Sequence, residues 1–153
     1  MKEHDYKRID INVDEKGTIF AVPTGQCLNP TIIIGLNILN ILEAPYSESE
    51  LTQLIFKTFD QCYTEKKKNL KEPGILLTHF GRKNYSKAVK KLKYICFDWS
   101  KNEGYSITPT REDLKQNNIL EAKRKILGFE PKDNEIADAL KRAIEESTTF
   151  YGH

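Results

Sequence analysis

The sequence has few of the residues that most often perform catalysis or bind metals. Of its three histidines, His4 and His153 lie near the ends of the chain, and His79 stands alone in an apolar run, as a core residue often does. The histidines, cysteines and acidic residues do not occur in a cluster with the short spacing that is typical of metal ligands. The sequence also contains neither a phosphate-binding glycine loop nor a G-x-S-x-G elbow. We therefore predict no catalytic residue, no metal site, no cofactor and no small-molecule substrate, and we expect a protein that is not an enzyme.

Cysteines and long apolar runs are equally scarce. Cys27, Cys62 and Cys96 each lie in an apolar neighbourhood, which indicates buried free thiols in a reducing cytoplasm rather than a disulfide framework. No run reaches the roughly 20 apolar residues that a membrane span needs. The polar start of the chain is unlike a secretory signal. These features predict a cytoplasmic protein with no membrane contact.

The apolar residues that are present suffice for one folded domain. The chain has 153 residues, of which 39% are hydrophobic and 30% charged, and this fits a single domain over residues 1–153. Residues 6–13 alternate polar and apolar side chains, as a half-buried strand does, and Gly17 can turn the chain into a return strand. Residues 94–99 begin with four apolar side chains, which indicates a central strand, and a turn ending in Gly104 leads to its antiparallel neighbour.

Other segments carry helix signals. Ser47 and Glu50 form an S-x-x-E capping box, and the helical apolar spacing that follows should end in the lysine run 66–68. Residues 31–42 fit either a strand or a helix. Further helices are predicted from Asn84, over residues 119–127 and from Asp133. The predicted fold class is α+β, with a central, mainly antiparallel β-sheet of four to six strands and three or four packed helices in a single domain.

The charge is unevenly distributed along the chain. Residues 64–93 contain ten Lys or Arg and two Glu, a charge of +8, so the rest of the chain carries −6 of the net +2. The simpler interpretation is a solvated helix face with a lysine-rich loop, and the other is a patch for an anionic partner. This leaves one alternative function, a small cytosolic nucleic-acid-binding protein that uses the basic 64–93 region. Direct nucleic-acid binding is disfavoured because no RNP, zinc-finger or helix-turn-helix signature is present.

Residues 80–110, with the sequence FGRKNYSKAVKKLKYICFDWSKNEGYSITPT, carry a family resemblance. They resemble the immunity proteins (CdiI) of bacterial contact-dependent growth inhibition in the helix entry after Gly81, the strand ending near Trp99, the glycine-closed turn and the I-T-P-T segment. The helix start at Asp133 is also similar. The resemblance implies a cytoplasmic protein without catalysis that binds the cognate CdiA C-terminal toxin domain, often a nuclease, and blocks its active site.

An inhibitor of a basic nuclease would use acidic side chains, because such toxins bind phosphates. Acids next to aromatic residues on turns and helix starts are the natural contacts, since they project from a rigid frame. On these grounds we predict seven toxin-binding residues: Glu43, Tyr46, Glu48, Glu103, Tyr105, Glu112 and Asp113.

Overall fold

The structure is a computed structural model that describes residues 4–28, 31–66, 74–81, 91–113, 118–121 and 123–148. Side chains at 28, 31, 111–113 and 118–121 lie outside the description. The described elements, in chain order, are β1 (Tyr6–Val13), β2 (Ile19–Leu28), β3 (Thr31–Gly35), β4 (Asn40–Leu42), α1 (Glu48–Asp60), α2 (Ile75–Phe80), β5 (Lys93–Ser100), β6 (Gly104–Asp113), β7 (Asn118–Glu121), β8 (Lys125–Gly128) and α3 (Asp133–Glu146).

The strands form one eight-stranded sheet whose described pairings are all antiparallel. Six strands follow the order β3-β2-β1-β5-β6-β7, while β4 pairs with β2 and β8 pairs with β6. The predicted α+β class and antiparallel sheet are confirmed, and the two short added strands take the sheet beyond the expected four to six. β5 lies between β1 and β6, as its apolar sequence predicts.

Two glycine turns make the predicted hairpins. Gly17 and Gly104 have φ of +85° and +75°, a region that other residues rarely adopt. Gly104 is also required by close packing, because a Cβ there would lie 2.4 Å from the carbonyl carbon and oxygen of Gly128. This contact holds the β5–β6 turn against the end of β8.

The main core lies between one face of the sheet and helices α1 and α3. Its centre is built by the apolar halves of the alternating strands, including Ile9, Ile11 and Phe97, which are all fully buried. Phe59 of α1 stacks edge-on against Phe97, with ring centroids 5.6 Å apart. The capping box is present as predicted: Ser47 Oγ accepts from the Glu50 N–H, and the Glu50 carboxylate accepts from the Ser47 N–H.

The structure corrects two secondary-structure expectations and one expectation of burial, and it decides one segment that the sequence left open. Residues 119–127 do not form a helix: Asn118–Glu121 and Lys125–Gly128 are strands, because β6 offers backbone partners that override weak helical spacing. The segment 31–42, which the sequence left undecided between strand and helix, contains strands β3 and β4. Helix α1 ends at Asp60, before the lysine run. His79 is exposed rather than in the core. The helix predicted from Asn84 lies outside the described residues.

Among the residues that the structure describes, no helix combines the length and the apolar character that a membrane span requires. Within the same residues, no group of three or more His, Cys, Asp or Glu side chains is placed to hold a metal ion. The three cysteines are buried free thiols, as predicted.

Candidate functional site

The face of the sheet opposite α1 and α3 carries a polar stripe along its two central strands. Because strand side chains alternate, the core residues of β1 leave Tyr6, Arg8, Asp10 and Asn12 on this second face. The sheet register pairs Arg8 with Asp98 of β5, so that charged residues meet in the middle of the molecule. Buried charges are costly unless they are paired, so the stripe identifies a part of the fold that packing alone does not require.

Asp98 is the centre of this polar network. Its carboxylate accepts from Arg8 Nε at 2.7 Å and from Arg8 Nη2 at 3.3 Å, and it also accepts from Tyr6 Oη at 2.6 Å. The hydrogen bond to Asp98 raises the pKa of Arg8 further above its usual range. Burial, reinforced by the bond to Asp98, raises the pKa of Tyr6. Arg8 therefore stays charged and is held in one orientation.

A polar pocket of about 380 Å³ opens beside this network. Ser106 and Thr108 of β6 are buried, and their hydroxyl groups make no hydrogen bond among the described residues. Arg124 binds Glu103 at 2.9 Å at the rim. The pocket lining comprises Tyr6, Arg8, Asp98, Ser100, Ser106, Thr108 and Arg124. A fixed guanidinium with hydroxyl groups beside it can bind a carboxylate or a carbonyl oxygen of a partner.

Two exposed apolar side chains lie on β8 and directly after it, and β8 pairs with the pocket-lining strand β6. Ile126 is 54% exposed and pairs with Ser106, so it lies on the same face of the sheet as the pocket. Phe129 is 56% exposed and follows Gly128, whose backbone contacts Gly104. We call the pocket together with Glu103, Ile126 and Phe129 the Arg8 surface. Arginine and aromatic side chains beside exposed aliphatic ones are typical of the centre of a protein interface.

The structure places two of the seven predicted toxin-binding residues at this end of the sheet. Glu103 belongs to the Arg8 surface through its ion pair with Arg124. Tyr105 lies on the helix side of the sheet, where the centroid of its ring is 5.3 Å from that of Phe59 and 5.8 Å from that of Phe56. Tyr105 is therefore half-buried packing at the edge of the core, with less surface for a partner than the sequence implies.

The other predicted residues lie elsewhere. Tyr46 Oη donates to the Gly17 carbonyl at 3.2 Å, and Gly17 lies beyond the end of β1 that is far from the Arg8 surface. Glu43 and Glu48, which are close to Tyr46 in sequence, are exposed. That end of β1 is about 23 Å from the Gly104 end, at about 3.3 Å per strand residue. The seven residues therefore do not converge on one surface. Glu112 and Asp113 end β6, and their side chains lie outside the description.

Sequence reasoning missed Tyr6, Arg8 and Asp98. The signal was available in part, because the alternation in residues 6–13 separates a polar face from an apolar one. The partner of Arg8 lies 90 positions along the chain, and only the sheet register brings the two together. Because side chains alternate along residues 94–99, Asp98 lies on the other face of the sheet from Phe97. This alternation could have suggested that β5 also carries a polar side chain on its second face.

Most of the basic 64–93 region lies outside the described residues. Lys66, Lys91 and Lys93 are described, and Lys93 Nζ donates to the Ile144 carbonyl at 2.7 Å. Lys91 lies 3.8 Å from Glu15 in an exposed pair. The nucleic-acid alternative therefore remains an untested prediction.

Comparison with known proteins finds solved structures of similar fold at low sequence identity. No family model and no curated protein matches the sequence. The protein of unknown function NMB0488 from Neisseria meningitidis is 13% identical, with a TM-score of 0.64 over 95% of this chain and 98% of that chain. A chain of the CdiA-CT/CdiI toxin and immunity complex from Yersinia pseudotuberculosis is 12% identical, with a TM-score of 0.58 over 93% and 97%. At these identities the likeness establishes a shared fold.

Proposed function

We propose that this chain is a cytoplasmic immunity protein of contact-dependent growth inhibition. In this proposal it binds the C-terminal toxin domain of a cognate CdiA protein, a nuclease, and covers its active site without turnover. The fold shared with a chain of a toxin and immunity complex supports the proposal, as does the resemblance of residues 80–110 to immunity proteins. The observation that carries it is the Arg8 surface, which has the composition of a protein-binding site.

The Arg8 surface can supply affinity at a low entropic cost. Asp98 and Tyr6 already hold Arg8 in place, so binding does not have to order a free arginine. Burial of Ile126 and Phe129 would remove exposed apolar area from water, at about 25 cal/mol per Å². Neutralising a lethal enzyme at low concentration calls for a Kd of roughly 1 nM or below, about −12 kcal/mol.

Co-expression tests the function directly. Cells that produce this chain together with the toxin domain encoded beside its gene should grow, and the two proteins should co-purify. Cells that produce the toxin domain alone should stop growing, and cells that produce this chain alone should grow normally. The last arm matters because the Yersinia pseudotuberculosis complex contains a toxin as well as an immunity protein. Growth arrest by this chain alone, or absence of protection, would refute the proposal.

A matched pair of substitutions tests the surface. Ile126→Asp places a charge on the Arg8 surface, whereas Ile41→Asp makes the same change on β4, which pairs at the Gly17 end of β2. Ile41 is 45% exposed, so both variants should fold. We expect Ile126→Asp to weaken toxin binding by at least about thirtyfold, as loss of a central contact does, and Ile41→Asp to leave it unchanged.

A second pair of substitutions, which reverse a charge, compares the Arg8 surface with the Gly17 end of the sheet. Glu103→Lys alters the Arg8 surface, and Glu48→Lys alters the predicted contact at the start of α1. We expect the former to slow association and the latter to have little effect, because charge complementarity acts mainly on capture. The reverse pattern in both pairs would move the interface to the Gly17 end and leave the immunity function standing.

A further inference from the structure

A second cavity, of about 420 Å³, lies on the polar face of the sheet under α2. Its walls are apolar and include Val22, Ile34, Leu36 and Leu76. Its polar groups come from the same central strands as the Arg8 surface, further along β1. The volume lies in the range of small-molecule sites, which are mostly apolar with a few placed polar groups. We call this cavity the Asp10 pocket.

Asn12 is the first unusual group in the Asp10 pocket. Its residue is 2% exposed, and Oδ1 has no hydrogen-bond partner among the described residues. An acceptor buried without a partner destabilises a folded protein unless something else satisfies it. Asn12 lines the cavity, so a molecule in the cavity can donate to this oxygen.

Asp10 supplies a second acceptor to the same cavity. Tyr94 Oη donates to Asp10 Oδ1 at 2.6 Å, and Oδ2 makes no hydrogen bond within the described part of the chain. No Lys or Arg forms an ion pair with Asp10 among those residues. The pocket therefore combines a carboxyl group and an amide oxygen, both acceptors, with apolar walls.

From this arrangement we infer that the Asp10 pocket binds a small molecule that carries an ammonium group on a compact apolar body. The ammonium group donates to Asp10 Oδ2 and Asn12 Oδ1, and the body contacts the aliphatic walls. An anion would be repelled by the Asp10 carboxylate, and an uncharged alcohol would make a weaker hydrogen bond to it because it carries no charge. This inference is independent of the proposed immunity function, because it uses a different cavity and needs no toxin.

The experiment is an NMR titration of the full chain with phenethylamine, phenethyl alcohol and phenylacetate. These three probes share one apolar body and differ in the terminal group. A probe of about nine non-hydrogen atoms should bind with a Kd on the order of 1 mM. We expect saturable amide shifts for the amine, centred on β1, β5 and α2. We expect at least about tenfold weaker binding for the alcohol and none for the carboxylate, because charge-assisted hydrogen bonds are the stronger ones.

Three variants locate the binding. Asp10→Asn removes the charge but keeps an acceptor for Tyr94, and Leu77→Trp fills the cavity from α2 while leaving the Asp10 residue unchanged. Both should abolish saturation by the amine. Asp138→Asn makes the same charge change on the exposed face of α3 and should bind the amine as the parent chain does. No saturation in the parent chain, equal binding of the three probes, or full binding by Asp10→Asn or Leu77→Trp would overturn the inference.

Discussion

Replacing Phe97 with Ala should be among the most destabilising single changes in this protein. Phe97 is fully buried in the central strand, and its ring packs edge-on against Phe59 at 5.6 Å and Tyr105 at 6.4 Å. A buried Phe→Ala change costs about 3–5 kcal/mol, and the two aromatic contacts favour the upper half of that range. A loss of about 4 kcal/mol lowers Tm by roughly 8 to 16 °C in a chain of this size.

Thermal unfolding and urea titration of Phe97→Ala measure this loss, with Phe129→Ala as the matched control. Phe129 is exposed, so its removal should change the free energy of unfolding by less than about 0.5 kcal/mol. Phe129→Ala should nevertheless weaken toxin binding if the Arg8 surface is the interface. A Tm shift below about 2 °C for Phe97→Ala, or equal shifts in both variants, would refute the assigned strand phase and core.

Three further predictions concern turns, a carboxyl group and thiols. Gly104→Ala should cost at least about 2 kcal/mol more than Gly81→Ala in urea unfolding, because both have positive φ but only the former adds a backbone clash; equal costs would contradict the close contact. Burial raises the pKa of Asp10, so the contribution of this group to the free energy of unfolding falls as pH rises from its unfolded pKa through its folded pKa. Asp10→Asn should therefore raise Tm at neutral pH and flatten the dependence of Tm on pH, and an unchanged pH dependence would contradict the prediction. Burial raises the pKa of Cys62, and that of Cys96 to about 11, so a thiol reagent at pH 8 should react only after unfolding; fast labelling of the native chain would show that these thiols are accessible.

The local features of the fold followed from the sequence because their causes are local. The capping box needs two side chains three positions apart, and the hairpin turns need a glycine that can adopt positive φ. The core positions Phe59 and Phe97 followed from helical and strand periodicity. The fold class was predictable in the same way, since alternating segments joined by tight turns specify antiparallel pairing.

Segments without a strong local signal were decided by their neighbours in space. Residues 119–127 became two strands because β6 has an open edge for their backbone groups. Residues 31–42 became strands because β2 extends beyond β1, where β3 pairs with it, and because its second edge is open to β4. Propensities of a few tenths of a kcal/mol per residue do not outweigh a ladder of backbone hydrogen bonds.

The candidate site depended on the tertiary structure more than the fold did. Sequence alone predicted Glu103 as a contact, which stays a prediction, and separated Arg8 from the core side of its strand. The bonds from Arg8 and Tyr6 to Asp98 and the position of Ile126 opposite Ser106 exist only once β1, β5, β6 and β8 are paired. Register between distant strands follows from the sum of many packing contacts, and no short stretch of sequence encodes it.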